Sequence, residues 1–474
     1  MIGENGEETD ATVLVSREFE ELIGTQDLSC KRLCDLPDAI LLHVLDFLPT
    51  RAALQTNVLS KRWRHLSRSI SNLVFGEESI FENSRFFKFV EGALAFRDLS
   101  PLKVFSLSFY VAVEDQSRVN TWIDSAIRRK VQELRLRLRV QTHPPLEYTL
   151  PCCIFRCETM VEFHIGCLHN FRVPSLVCLP NLKVLTLDDV GFGDSLEKLL
   201  SLPSLEEVSL KACRFHEIKV LNIGAPNLLK FFMTDFPKDF SRRGQVRIHG
   251  ARIKSLHYFG PYDRNLNISC PSSLVEAVIV AFQAQEQPDQ YANHVFKLLK
   301  ELSNIEHLTL YLDRLQVMDE RKDLLDSCPV FLSLTQLKWY ISPMYLGLSV
   351  LQIMLSQCPC LRSLVFVFYE GLIKNSRMDS WTLDPVPRCF LSSLKEIRIC
   401  YFTAVDTELL AVRVFLGAAE VLEKLFIHCS RGYMKKFRGL MKRLMKLPRA
   451  SNQCSISVDF REKCSACSSK GLFR

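Results

Sequence analysis

The chain has 474 residues, 47% of them hydrophobic and 24% charged, which excludes wholesale disorder and leaves room for several domains or one long repeat array. Eighteen glycines and twenty prolines are too few for collagen-like or low-complexity sequence, and no apolar run approaches the roughly 18–20 residues of a membrane-spanning helix. The net charge of +7 is unevenly spread: residues 1–29 carry eight acids against Arg17, and residues 431–474 carry twelve bases against Asp459 and Glu462.

The leader, 1–29, reads as a disordered acidic tail. Its start, Met1-Ile-Gly-Glu, has neither the basic nor the apolar stretch of a secretory signal. The eighteen cysteines are therefore expected as reduced thiols in a cytoplasmic or nuclear protein. Cys153, Cys167, Cys213 and Cys400 stand among aliphatic residues and are expected to behave as small buried hydrophobes.

Residues 30–75 predict three short helices. Pro37 suits a first helical position, Asp38 suits the helix dipole, and Ile40, Leu41, Val44, Leu45 and Leu48 recur at helical spacing. Pro49 breaks that helix and Thr50 is expected to cap the next. Ser60 is expected to cap the third, with Trp63, Leu66 and Ile70 on one face. So small a unit has little core of its own and is expected to lean on a partner.

From about residue 100 a different template takes over: apolar-x-x-apolar-x-apolar. It occurs as Leu102/Phe105/Leu107, Val131/Leu134/Leu136, Met160/Phe163/Ile165, Leu182/Leu185/Leu187, Leu205/Val208/Leu210 and Leu228/Phe231/Met233. It continues as Ile253/Leu256/Tyr258, Leu274/Ala277/Ile279, Ile305/Leu308/Leu310, Leu334/Leu337/Trp339, Leu361/Leu364/Phe366, Leu394/Ile397/Ile399 and Leu422/Leu425/Ile427. Leu182, Leu205 and Leu228 fall in one register, each led in by Pro180-Asn, Pro203-Ser or Pro226-Asn. A period of roughly 20–29 residues with this template is the leucine-rich-repeat signature, in which each unit gives one short strand to a core shared with its neighbours. The intervening Gly76-Glu-Glu-Ser and the Phe-rich stretch after it read as a connector or cap.

Catalytic motifs are missing from the sequence. There is no Gly-rich phosphate loop and no Gly-x-Ser-x-Gly elbow, and His216-Glu217 has no second histidine. Cys464-Ser-Ala-Cys467 has metal or redox spacing without a second pair, so tail thiols and a metal half-site both stay open. Tyr433 to Leu447 predicts a basic amphipathic helix with Phe437, Leu440, Met441 and Leu444 on one face. It reads as the solvated helix of a last repeat, as a nucleic-acid or nuclear-import patch, or as a calmodulin- or membrane-type target. No catalytic residue, cofactor or metal is assigned.

The segment Leu33-Cys-Asp-Leu-Pro-Asp-Ala-Ile-Leu-Leu-His-Val-Leu-Asp-Phe-Leu-Pro-Thr50, with Val58-Leu-Ser-Lys-Arg-Trp-Arg64, resembles an F-box. Trp381, Val386-Pro-Arg-Cys-Phe-Leu-Ser-Ser-Leu-Lys-Glu-Ile397, Leu422-Glu-Lys-Leu-Phe-Ile427 and Lys446-Leu-Pro-Arg resemble the FBD region of plant F-box/leucine-rich-repeat proteins. The resemblance implies an α/β protein: a three-helix F-box (30–75), an irregular repeat solenoid (100–380), an FBD-like continuation of the repeats (381–460) and a flexible basic tail (461–474). It implies a non-catalytic receptor of a cullin-type (SCF) ubiquitin ligase. The F-box would hold a Skp-type adaptor through Leu36, Pro37, Ile40, Leu41, Val44, Leu48, Pro49, Val58, Leu59 and Trp63, and the repeats would hold a target protein. The alternative is an F-box-like scaffold that binds protein or nucleic acid without ubiquitin transfer. The implied partners include no membrane, and nucleic acid is the less favoured one.

Strand side chains alternate, so the residues between the buried positions of each repeat are expected on one shared, concave surface. Aromatic and Arg residues make the best anchors. Arg135, Arg137, Phe232 and Tyr311 are the expected target-binding residues.

Overall fold

Pro37 (φ −57°) opens helix α1, Asp38–Phe47, and Leu48 is extended ahead of Pro49, as the residue before a proline must be. Leu41 and Leu45 are the buried residues of α1. Helix α2, Thr50–Gln55, runs into one 3₁₀ turn at Thr56–Val58. Thr50 does not cap α2: Pro49 holds the cap position, and Thr50 is the first helical residue, buried to 3% exposure. Ser60 does cap α3, Lys61–Leu66, accepting a hydrogen bond from the Trp63 N–H at 3.3 Å. The computed structural model describes residues 33, 36–76, 83–140, 148–215, 218–234, 245–249, 252–261, 266–268, 273–282, 288–312, 317–318, 320–340, 348–368, 382–429 and 437–460. The expectations for the leader, His216-Glu217, Trp381 and Cys464-Ser-Ala-Cys467 lie outside them.

The chain divides into two units: Met1–Asn72 with Ala95–Ser100, and Leu73–Leu94 with Pro101–Arg474. In the first, the Asp46 carboxylate accepts from both the N–H and the hydroxyl of Ser71, which ties the end of α1 to the chain that follows α3. Residues 95–100 join this unit through Arg68, which donates to the Phe96 carbonyl at 3.1 Å, and through Asp98, which accepts from the Ser69 hydroxyl.

The second unit is built on a fifteen-stranded sheet whose strands follow chain order. They are β1 (Asn72–Gly76), β2 (Val104–Val111), β3 (Glu133–Val140), β4 (Glu162–Gly166), β5 (Val184–Asp188), β6 (Glu207–Lys211), β7 (Lys230–Thr234) and β8 (Ser255–Pro261). Then come β9 (Glu276–Phe282), β10 (His307–Leu312), β11 (Gln336–Tyr340), β12 (Ser363–Val367), β13 (Glu396–Phe402), β14 (Lys424–Cys429) and β15 (Ser455–Asp459). Pairing is parallel, from Phe105 beside Leu134 at one end to Leu425 beside Ile456 at the other. Every residue of the thirteen apolar triplets is at most 3% exposed. Three shorter strands, Val220–Ile223, Gln245–Ile248 and Leu266–Ile268, form a second parallel sheet.

The recurring Pro-Asn and Pro-Ser lead-ins have a mechanical role. The side chains of Asn181, Ser204 and Asn227 donate to carbonyls one repeat back, at Glu158 (2.7 Å), Leu179 (3.3 Å) and Pro203 (2.8 Å). These three repeats are thus each tied by a side chain to a loop carbonyl of the repeat before.

Two expectations need correction. The large sheet takes in a strand before residue 100, and of the connector and cap readings the described residues 83–96 fit a cap. Strand β1 belongs to the large sheet, with Leu73 and Phe75 buried. Helix α4, Asn83–Phe96, buries Phe86, Phe87 and Val90, and Phe87 and Phe109 both meet Trp122 of α5, Gln116–Arg128. The cysteines also differ from one another. Cys213 and Cys400 are buried, whereas Cys153, in the 3₁₀ helix Cys152–Arg156, and Cys167, just after β4, are only half-buried. Burial pushes the Cys213 thiol up to about 12, and no disulfide links the described cysteines.

Candidate functional site

The first unit carries a concentration of exposed apolar side chains. Val58 is 80% exposed, Leu59 64%, Phe47 50% and Leu48 39%; Pro37 and Pro49 are exposed, and Leu36, Ile40 and Val44 are half-buried. Arg62 organises them. Its guanidinium donates to the Asp38 carboxylate at 2.8 Å and to the Leu36 carbonyl at 2.5 Å. That clamp ties the start of α3 to the start of α1. Leu41 and Trp63 belong elsewhere. At 0% and 8% exposure they pack the interior of the structure, so they support the surface rather than form it. Phe47 and Leu33 (54%) are exposed apolar residues that helical spacing did not select.

The second candidate surface is the face of the large sheet opposite the apolar triplets. The alternation in β3 is as expected: Leu134, Leu136 and Leu138 are buried, while Arg135 and Arg137 are exposed. Arg135 pairs with Glu133 on its own strand. Arg137 reaches across β4 to Asp188 of β5, at 2.6 Å. The strand between offers Gly166 at that point, where an added Cβ would lie 3.2 Å from Arg137 Cγ. Glycine is thus the residue that lets a guanidinium cross the strand. Gly166→Val is expected to lift Arg137 off Asp188, yet to change thermal stability little through the ion pair, because half-exposed pairs contribute about 0–1 kcal/mol. Target capture by Gly166→Val and Arg137→Ala, measured beside their melting temperatures, separates a recognition role from a structural one.

Glu133, Glu162 and His164 bring their ligand atoms within 4.8 Å of one another on this face. Arg135 already pairs with Glu133, and His164 Nε2 lies 3.2 Å from Glu162 Oε2. The carboxylates are therefore partnered by side chains, through Arg135 and His164.

Phe232 and Tyr311 sit in a different environment, about four and seven strands from β3, which is roughly 19 and 34 Å at ~4.8 Å per strand. Both are half-buried against one apolar cluster of Phe259, Val278, Val280, Tyr340, Val365, Val367 and Cys400. The structure therefore joins Phe232 to Tyr311 and Arg135 to Arg137, as two patches. His257 borders the apolar patch, its ring 6.0 Å from that of Phe232. Burial pushes the imidazole below its ordinary value, against the pull of Glu276 at 3.9 Å. With the folded value depressed, this contribution to stability is present above about pH 6.5 and is lost as pH falls toward the folded value. The melting temperature is expected to drop between pH 7 and 5, and to drop less in His257→Gln.

The F-box domain model matches residues 33–75, and the leucine-rich-repeat model described as At1g61320/AtMIF1, LRR domain, matches residues 97–462. The chain belongs to the F-box/leucine-rich-repeat family. The F-box/leucine-rich-repeat chain is 27% identical over 443 residues to the FBD-associated F-box protein At5g22730 of Arabidopsis thaliana, covering 89% of this chain and 93% of that one. It is 26% identical to the F-box/FBD/LRR-repeat protein At2g26030 of the same plant, covering 91% and 100%. It is 31% identical to the F-box protein At3g59000, over 73% and 74%. The sheet of this F-box/leucine-rich-repeat protein starts upstream of the matched repeat region, at β1.

Proposed function

We propose that the chain is the target-recognition subunit of a cullin-type (SCF) ubiquitin ligase, working in the cytoplasm, the nucleus or both. The observation that carries this reading is the exposed apolar set at Val58, Leu59, Leu48, Pro37 and Pro49 within an F-box match. Side chains this apolar, on a unit this small, gain about 25 cal/mol per Å² when a partner covers them. A Skp-type adaptor is the partner that an F-box implies, with a cullin joined through it.

The chain itself then performs no bond chemistry. It holds a target protein on the repeats and the adaptor on the F-box, so that ubiquitin transfer becomes a reaction between tethered partners. The Arg135/Arg137 patch supplies charge-assisted hydrogen bonds, and the Phe232/Tyr311 patch supplies aromatic contact area. Reconstitution tests the reading: the full chain is mixed with a Skp-type adaptor, a cullin–RING pair and a charged conjugating enzyme. Ubiquitin should appear on proteins captured by the repeats, and only when the chain is present. A chain that captures proteins yet promotes no transfer fits the alternative, a scaffold outside ubiquitin chemistry.

A further inference from the structure

Among the described residues, β15 is the last strand of the large sheet: it pairs with β14 on one side and with no strand on the other. The interior is open there as well. Leu425 and Ile427 of β14 are 1% exposed, but their register partners Ile456 and Val458 are only half-buried. The Ser455 N–H bonds back to the Glu423 carbonyl at 2.9 Å. Backbone groups alternate sides along a strand, so Ile456 and Val458 point their N–H and C=O groups outward. Such an edge is a template for another strand.

The charge around the edge says which strand fits. Residues 437–460 carry Arg438, Lys442, Arg443, Lys446 and Arg449 against Asp459 alone. Lys442 is exposed on helix α6, Phe437–Met445, and Lys446 is exposed just after it; Arg443 is paired with Asp406 at 2.9 Å, and Arg449 donates to the carbonyl of Cys454, the residue before β15, at 3.0 Å. A second copy paired edge to edge would set two such basic ends against each other, whereas acidic side chains would be attracted. We propose that β15 is a docking edge to which an extended segment of a partner protein, alternating acidic and β-branched residues, adds as the next strand. This goes beyond the ligase reading and stands independently of it, because it concerns the repeat end and needs no adaptor.

The test uses the full chain and a labelled synthetic ten-residue peptide of alternating Glu and Val or Thr, with a Lys-for-Glu peptide as control. Val458→Pro removes one outward N–H and leaves the ladder bonds to β14 in place. Lys442→Glu with Lys446→Glu reverses charge without touching the edge. Anisotropy should show the acidic peptide binding at least about tenfold more tightly than its Lys counterpart, and each variant should lose at least about tenfold. Matching circular dichroism melts show that the variants are folded; if Val458→Pro alone is unstable, the charge-reversed variant decides. Equal binding by wild type and both variants, or none to the wild type, overturns the proposal. So does sedimentation showing a dimer that Val458→Pro dissolves, which would make the edge homotypic. A single-stranded oligonucleotide bound in the acidic peptide's place, insensitive to Val458→Pro, would overturn it too.

Discussion

Replacing Val58 and Leu59 together with alanine is expected to weaken adaptor binding by about 10³-fold while leaving the fold intact. Two central apolar anchors at about 2 kcal/mol each give about 4 kcal/mol, which is that factor. The fold survives because both side chains are largely exposed in the free chain, at 80% and 64%. Leu36→Ala with Pro37→Ala should act in the same direction, since Pro37 is exposed and Leu36 only half-buried in the same small unit. Leu41→Ala and Trp63→Ala should behave differently. Both residues are buried, so truncation creates a cavity that costs about 2–5 kcal/mol of stability, and binding suffers through unfolding. Titration calorimetry with purified adaptor, beside melting curves for each variant, distinguishes the two classes. Undiminished binding by the Val58/Leu59 variant would remove that turn from the interface.

Phe75→Ala is expected to destabilise the repeat unit by about 3–5 kcal/mol, the usual range for a buried phenylalanine truncated to alanine. Phe75 is 1% exposed, with ring centroids 5.6 Å from Phe89 and 6.1 Å from Phe105. It therefore joins β1, α4 and β2 into the first packed layer of the unit. Chemical denaturation of the full chain measures the effect. A change below about 1 kcal/mol would mean that β1 is peripheral. A chain shortened to begin at 77 would remove the strand altogether, so a deletion meant to separate the F-box from the repeats has to keep Leu73 to Gly76.

The repeat strands were legible because each is short, parallel and buries its triplet in the shared interior, which imposes the apolar template locally. All thirteen triplets lie in the interior for that reason. The two end strands escaped for different reasons. Ile70, Leu73 and Phe75 do fit the template, but Ile70 also continues the helical spacing of Trp63 and Leu66, and the helical reading prevailed. In β15, the last strand among the described residues, the template fails at Gln453. Exposure of Arg135 and Arg137 followed from alternation alone. Their partners did not, since Arg137 finds Asp188 two strands away over Gly166, a contact between residues 51 positions apart. The Phe232/Tyr311 cluster draws on seven strands, β7 to β13, and likewise has no local signature. In the F-box, helical spacing could not separate Leu41 from Ile40, or Trp63 from Leu59, because the same apolar character serves the interior and the exposed face.

The most direct measurement is affinity purification of the tagged full chain from plant cells with the proteasome inhibited, beside the Val58→Ala/Leu59→Ala chain. The wild-type chain should recover a Skp-type adaptor, a cullin and a target. The variant should lose adaptor and cullin, keep the target, and lengthen the target's half-life once inhibition is lifted. Recovery of the target by the wild-type chain with neither adaptor nor cullin would contradict the ligase account.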